Sequence, residues 1–172
     1  DLDGVFTLPD LKVALDENSE STLYRILAEM VASGTLVKVK RGIYATPEAS
    51  LATISSRIDP NAYVSTGTVL AGKAIIGSIP VRKVQAVKTG RPRTYRCELG
   101  TIEHLSISPR LHFGFSTIAG VRIATPEKAF LDVCYFTYRG RRFSFDPASD
   151  VNLTALDFGL IERYLEAYDA RF

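Results

Sequence analysis

The chain has 172 residues, is 46% hydrophobic and 23% charged, and carries a net charge of +2, a balance that supports a real core and is ordinary for a soluble protein. No apolar stretch approaches the length of a membrane span, and no signal-peptide pattern opens the chain. Cys97 and Cys134 are isolated, forming neither a metal spacing nor a disulfide framework, so the expectation is a protein of the reducing cytoplasm with no membrane association.

The first predicted helix lies in "FTLPDLKVALDEN". Thr7 is its candidate N-cap, Leu8, Leu11 and Leu15 form an apolar face, and the small Ala14 leaves room for a neighbouring helix. A second helix follows, with Ser19 or Ser21 as cap. Leu23, Ile26, Leu27, Met30 and Val31 fall at helical spacing, and Gly34 ends it as a left-handed residue. Its other face carries Ser21, Thr22, Arg25 and Glu29, which hydrogen-bond or carry charge and are not needed for a core.

After Gly34 the period becomes two. Val37 and Val39 are expected on one side, with Leu36, Lys38 and Lys40 on the other. Arg41-Gly42 supplies a turn and Ile43-Tyr44 a returning strand. Two helices and a basic hairpin read as a winged helix-turn-helix over residues 1–46. An amphipathic helix fits the DNA major groove, and a basic hairpin tip reaches phosphates or the minor groove. Candidate contacts are Ser21, Thr22, Tyr24 and Arg25 on the helix and Lys38, Lys40 and Arg41 on the hairpin. The acids Asp10, Asp16, Glu17 and Glu20 surround this module and repel phosphate unless they face away. Such a module needs a further helix, expected before Asp1.

A connecting helix is expected over 48–57, started by Pro47 and ended by Pro60, within a linker spanning 47–60. The remainder, 61–172, is read as a mixed α/β domain, giving an α+β chain. Ser65 is expected to cap a helix carrying Val69, Leu70, Ile75 and Ile76, closed by Gly77 and Pro80. Five β-like runs follow, "VRKVQAVKT", "RTYRCELG", "TIEHLSIS", "LHFGFSTIAG" and "VRIAT", forming a meander or a mixed sheet. "TPEKAFLDVCYFTY" returns to helix with Thr125 as cap, Pro126 in the first position and Glu127 at the positive end of the dipole. Its inward residues are read as Ala129, Phe130, Val133, Cys134 and Phe136 or Thr137. "DFGLIERYLEAYDARF" is a last amphipathic helix with Leu160, Ile161, Tyr164, Leu165 and Tyr168, and its pattern is expected to continue past Phe172.

Charge is uneven. Residues 61–125 hold nine Lys/Arg against two Asp/Glu, whereas residues 1–60 hold six against nine. Within the basic segment, "VKTGRPRTYR" places Lys88, Arg91, Arg93 and Arg96 around a Gly-Arg-Pro core like that of a minor-groove hook. The alternative is a solvated hairpin turn; taken with the charge of the segment, it is a second candidate contact for DNA phosphates or an acidic partner.

Enzymatic readings find less support. Glu127, Lys128 and Asp132 with Asp146 and Asp150 suggest a metal-dependent nuclease, but they lack an E-x-K triplet on strands. Glu127 has a sufficient role at a helix N-terminus, and Asp132 is expected to pair with a nearby cation. His104, His112 and Cys97 fit no zinc spacing. Ser65 has no His or Asp placed beside it in sequence, and there is no phosphate-cradling glycine loop. No catalytic residue, metal or cofactor is expected.

The order and spacing of "FTLPDL", "STLYRILAEMVASGTLVKVKRGIYA", "YVSTGTVLAG" and "VRIATPEKAFLDVCYF" resemble the AbiEi-type antitoxins of type IV, abortive-infection toxin–antitoxin systems. The sharpest pieces are G-x-L-x-x-x-x-R-G-x-Y from Gly34 to Tyr44 and A-T-P-E-K-A-x-L-D from Ala124 to Asp132. The resemblance implies a winged helix joined to a C-terminal antitoxin domain. It implies a repressor that binds inverted repeats in its own promoter on double-stranded DNA. It also implies a nucleotidyltransferase-like toxin as functional partner, counteracted without a stable complex. The alternative is a winged-helix protein-interaction module without specific DNA binding.

Overall fold

The computed structural model describes residues 3–77 and 79–169; the chain's opening at Asp1 and its close at Phe172 lie outside them. The architecture is mixed α and β, with six helices and two sheets.

The chain enters as a short strand, β1 (Val5–Thr7), which sequence reasoning left inside the first helical segment. Helix α1 (Leu8–Ala14) starts with a capping box: the Thr7 hydroxyl accepts from the Asp10 amide, and the Asp10 carboxylate accepts from the Thr7 amide at 2.7 Å. Helix α2 (Glu20–Ala32) is capped by Ser19. Gly34 follows with φ of +75°. Strands β2 (Val37–Lys40) and β3 (Ile43–Ala45) pair antiparallel, and β1 adds to the other side of β3. Leu36, expected beside Lys38, precedes the strand and is buried with Leu11, Leu23, Leu27 and Tyr44. All three residues of β3 are buried because both faces of this small sheet are covered. Tyr44 packs toward α1 and α2, while Ile43 and Ala45 pack toward the rest of the molecule.

Helix α3 (Leu51–Ile58) begins later than expected, because Ser50 and not Pro47 sets its start: the Ser50 hydroxyl accepts from the Thr53 amide at 3.0 Å. The expected connecting helix is present and packed, with Ile54 fully buried among Val5, Val39, Ile43, Ala45 and Ile102.

A six-stranded sheet runs in the order β6 (Arg93–Cys97), β7 (Gly100–Ser106), β5 (Lys83–Lys88), β4 (Tyr63–Val64), β9 (Val121–Ala124), β8 (Phe115–Ile118). The pairs β5/β7 and β4/β9 are parallel, so it is a mixed sheet. Strand β7 lies between β5 and β6, so the Gly-Arg-Pro segment is a connection crossing to the sheet edge and not a hairpin turn. Period-two alternation sorts the faces. Ile102 and His104 face α3; Leu105 and Val87 face helices α4 (Thr66–Gly72) and α5 (Pro126–Tyr138), the larger core. Ile75 and Ile76 are buried there, but α4 ends before them. On α5, Ala129, Leu131, Val133 and Phe136 are buried, Phe130 and Cys134 half-buried, and Thr137 exposed. Helix α6 (Phe158–Leu165) packs on α5 and stops before Tyr168. Among the described residues no helix is long and apolar enough to cross a membrane.

Candidate nucleic-acid interface

Ser21, Tyr24 and Arg25 are exposed on α2, and Thr22 is half-buried at its first turn. The spacing of Leu23 and Leu27, both 1% exposed, turns these polar residues outward. Three are already engaged: the Ser21 and Ser19 hydroxyls share a hydrogen bond of 3.0 Å, the Thr22 amide and hydroxyl both donate to the Ser19 hydroxyl, and the Arg25 guanidinium pairs with Glu29 one turn on at 2.8 Å. On the hairpin, Lys38 and Arg41 are exposed and Lys40 is half-buried. Lys38 stands opposite Tyr44 in register, hence on the α2 side of the small sheet. Together α2 and the hairpin wall a shallow groove of about 350 Å³ lined by Tyr24, Leu27, Ala28, Val31, Ala32, Lys38 and Tyr44. The surrounding acids are largely occupied. Asp10 binds Arg57 at 2.7 Å, Glu17 accepts from the Ser19 amide, and Glu20 lies 3.5 Å from Lys12. The Asp10 carboxyl is held below its ordinary value, first by the Thr7 amide and hydroxyl and then by Arg57.

The second group of cations divides. Lys88 is not a free cation: it is half-buried and donates to Asp59 at 2.7 Å, beside the C-terminus of α3. Burial would raise the Asp59 carboxyl, but hydrogen bonds from Lys88 and the Asn61 amide outweigh it and lower its pKa. Arg91, Arg93 and Arg96 are exposed, and none is in an ion pair among the described residues. Arg93 and Arg96 lie on alternate faces of β6, because their register partners are His104 and Thr101. Strand β2 packs along β6, so the hairpin and this edge strand border one seam between the two sheets.

The carboxylates of the nuclease reading are not gathered. Glu127 accepts from the Asp157 amide at the start of α6, and Asp146 and Asp150 close their own loop. Among the described residues no three His, Cys, Asp or Glu side chains are grouped to hold a metal ion.

Asp132 does pair with a nearby cation, Lys128, but sequence reasoning missed the buried polar cluster that the pair forms behind the larger sheet. Ser65 was expected to cap α4, yet its hydroxyl donates to Asp132 at 2.6 Å and makes no cap bond. The Tyr63 hydroxyl donates to the same carboxylate oxygen at 3.0 Å, and Lys128 pairs with the other. Lys128 also donates to the Tyr168 hydroxyl at 3.1 Å and sits over the rings of Tyr63, Phe113 and Tyr168. Burial pushes the Asp132 carboxyl up and the Lys128 ammonium down, and it raises both tyrosines. Gly114 makes room for this lysine: with φ of +74°, its absent Cβ would lie 2.9 Å from Lys128 Cγ. Thr66 stands at φ of +53°, costly for a β-branched residue, and its hydroxyl donates to Gln85 at 2.9 Å. The available signal was the four-residue spacing of Lys128 and Asp132 on an otherwise apolar stripe.

On the other face of the sheet, His104 Nε2 and the Ser55 hydroxyl share a hydrogen bond of 2.9 Å, and burial pushes the imidazole down to about 4. Burial also pushes the Cys134 thiol up to about 11, which disfavours the thiolate.

No protein-family model matches this chain, and no curated protein matches it.

Proposed function

We propose that this chain is a DNA-binding antitoxin of the AbiEi type, a cytoplasmic repressor of its own toxin–antitoxin operon. In this reading residues 1–46 act as the winged helix and 61–172 as the antitoxin domain counteracting a nucleotidyltransferase-like toxin. The observation that carries it is the division of the cations. Lys38, Lys40 and Arg41 on the hairpin, Arg91 just before β6, and Arg93 and Arg96 on it have no carboxylate partner among the described residues, whereas Lys12, Arg57 and Lys88 are neutralised. Unpaired cations on the hairpin and along the neighbouring sheet edge suit phosphate binding. Ser21, Thr22, Tyr24 and Arg25 then meet base edges or nearby phosphates. Arg25 exchanges Glu29 for a base, and a bidentate contact supplies about 1–3 kcal/mol of discrimination. No catalytic step is assigned to the chain.

The groove between α2 and the hairpin favours a second reading, a protein-interaction module, because its lining is mostly apolar and Tyr24 is 43% exposed. Fluorescence anisotropy separates the two. Duplex DNA from upstream of the chain's own gene is compared with a scrambled duplex at several salt concentrations, for wild type and Lys38→Ala/Arg41→Ala. The repressor reading expects tighter binding to the native duplex and a salt slope shallower by about 2 in the variant. Weak, equal binding to both duplexes would sink it.

A further inference from the structure

The basic surface includes a second feature away from α2 and the hairpin. The last turn of α3 and the tip of the β8–β9 hairpin enclose a cleft of about 350 Å³ lined by Ser56, Arg57, Pro60, Thr117, Gly120 and Arg122. Two arginines, a serine and a threonine are among its lining residues, and no acidic residue is. Thr117 and Arg122 are cross-strand partners, so a two-residue turn at Ala119-Gly120 fixes their wall. Arg122 is in no ion pair among the described residues. It reaches Asn61 Oδ1 only at 3.5 Å and lies over the Phe115 ring. The other guanidinium spends one nitrogen on Asp10, while its buried Nε has no hydrogen-bond partner.

We propose that this cleft binds a small phosphate monoester, and that binding is coupled to α1 through Arg57. Forked guanidinium donors with added hydroxyls match the three acceptor oxygens of a phosphoryl group better than the two of a carboxylate. The volume exceeds that of the bare ion and admits a small organic body attached to it. Coupling follows from shared use. Asp10 holds Arg57 and also closes the capping box of α1 with Thr7. A ligand that draws on Arg57 competes with Asp10, and the competition is reciprocal.

The test is calorimetric titration with inorganic phosphate and with glycerol 3-phosphate, against sodium chloride at matched ionic strength, together with amide chemical shifts of the ¹⁵N-labelled chain. Saturable binding of both probes is expected, with glycerol 3-phosphate the tighter and with shifts at Thr7 and Asp10 as well as at the cleft. Arg122→Gln is expected to weaken binding at least tenfold. Asp10→Asn, which frees Arg57, is expected to tighten it about three- to tenfold. Ser56→Ala keeps every ion pair and gives a milder loss of about two- to fivefold, and thermal melts check that each variant is folded. A response reproduced by chloride, or a folded Arg122→Gln that binds like wild type, would overturn the proposal. Displacement of phosphate from the cleft by duplex DNA would assign it to the nucleic-acid track and overturn the small-ligand reading. Binding without movement at Thr7 and Asp10 would overturn the coupling.

Discussion

Asp132→Ala tests whether the buried cluster holds the larger core together. Asp132 and Lys128 are both 0% exposed, so removing the carboxylate leaves an ammonium with no solvent and no counter-charge. Breaking one side of such a pair costs about 3–5 kcal/mol, a large share of a typical total stability. The Ser65 and Tyr63 hydroxyls lose their acceptor at the same time. For a chain of this size the loss corresponds to a fall of roughly 6–20 °C in melting temperature. Lys128→Met/Asp132→Leu removes both charges at similar volume. It still orphans the two hydroxyls, so it should remain below wild type yet exceed Asp132→Ala by at least about 2 kcal/mol. Urea denaturation of wild type, Lys128→Met, Asp132→Leu and the double variant closes the cycle. A coupling energy under about 0.5 kcal/mol would refute the argument that each charge is tolerated only because of the other.

Other outcomes follow from the same geometry. Gly114→Ala should cost about 2–3 kcal/mol in urea denaturation, since it combines a positive φ with a clash on the Lys128 chain. Ala119 occupies a positive-φ position at the exposed β8–β9 turn, so Ala119→Gly should stabilise by about 0.5–1 kcal/mol, read from the melting temperature. His104 resists protonation until about pH 4, while the unfolded chain takes up that proton near the ordinary value. Its contribution is therefore full above roughly pH 6.5 and is lost as pH falls toward 4, by at most about 3 kcal/mol. His104→Gln should flatten the stability profile across that window. Changing Arg91 and Arg93 together to Ser should make the salt slope of DNA binding shallower by about 2, with melting temperature unchanged.

Much of the local structure was legible because local physics decides it. The helical spacing from Leu23 to Val31, the Thr7 and Thr125 caps and the alternation of Val37 and Val39 all concern neighbours within one or two turns. What was misread depends on distant partners. The Ser65 hydroxyl had two good uses, and the choice fell to Asp132, far along the chain. Lys88 looked like one of four surface cations until Asp59 came beside it. Strands of two or three residues, β4 and β1, are too short to alternate, so only their partners define them. The crossing of β5 to the sheet edge is a matter of non-local pairing, which no period in the sequence encodes. At the proposed interface the cationic positions were readable, but which of them stay unpaired was not.

Helix α3 has one more consequence. Ile54 is wedged among residues of both sheets, and the same helix sends Ser55 to His104 and Arg57 to Asp10. Such a helix is a keystone, not a tether. It ties the three-stranded sheet to the larger one through Ile54, so the distance from the α2 surface to the β6 edge acts as a ruler. Any duplex engaging both must match that ruler or deform to meet it.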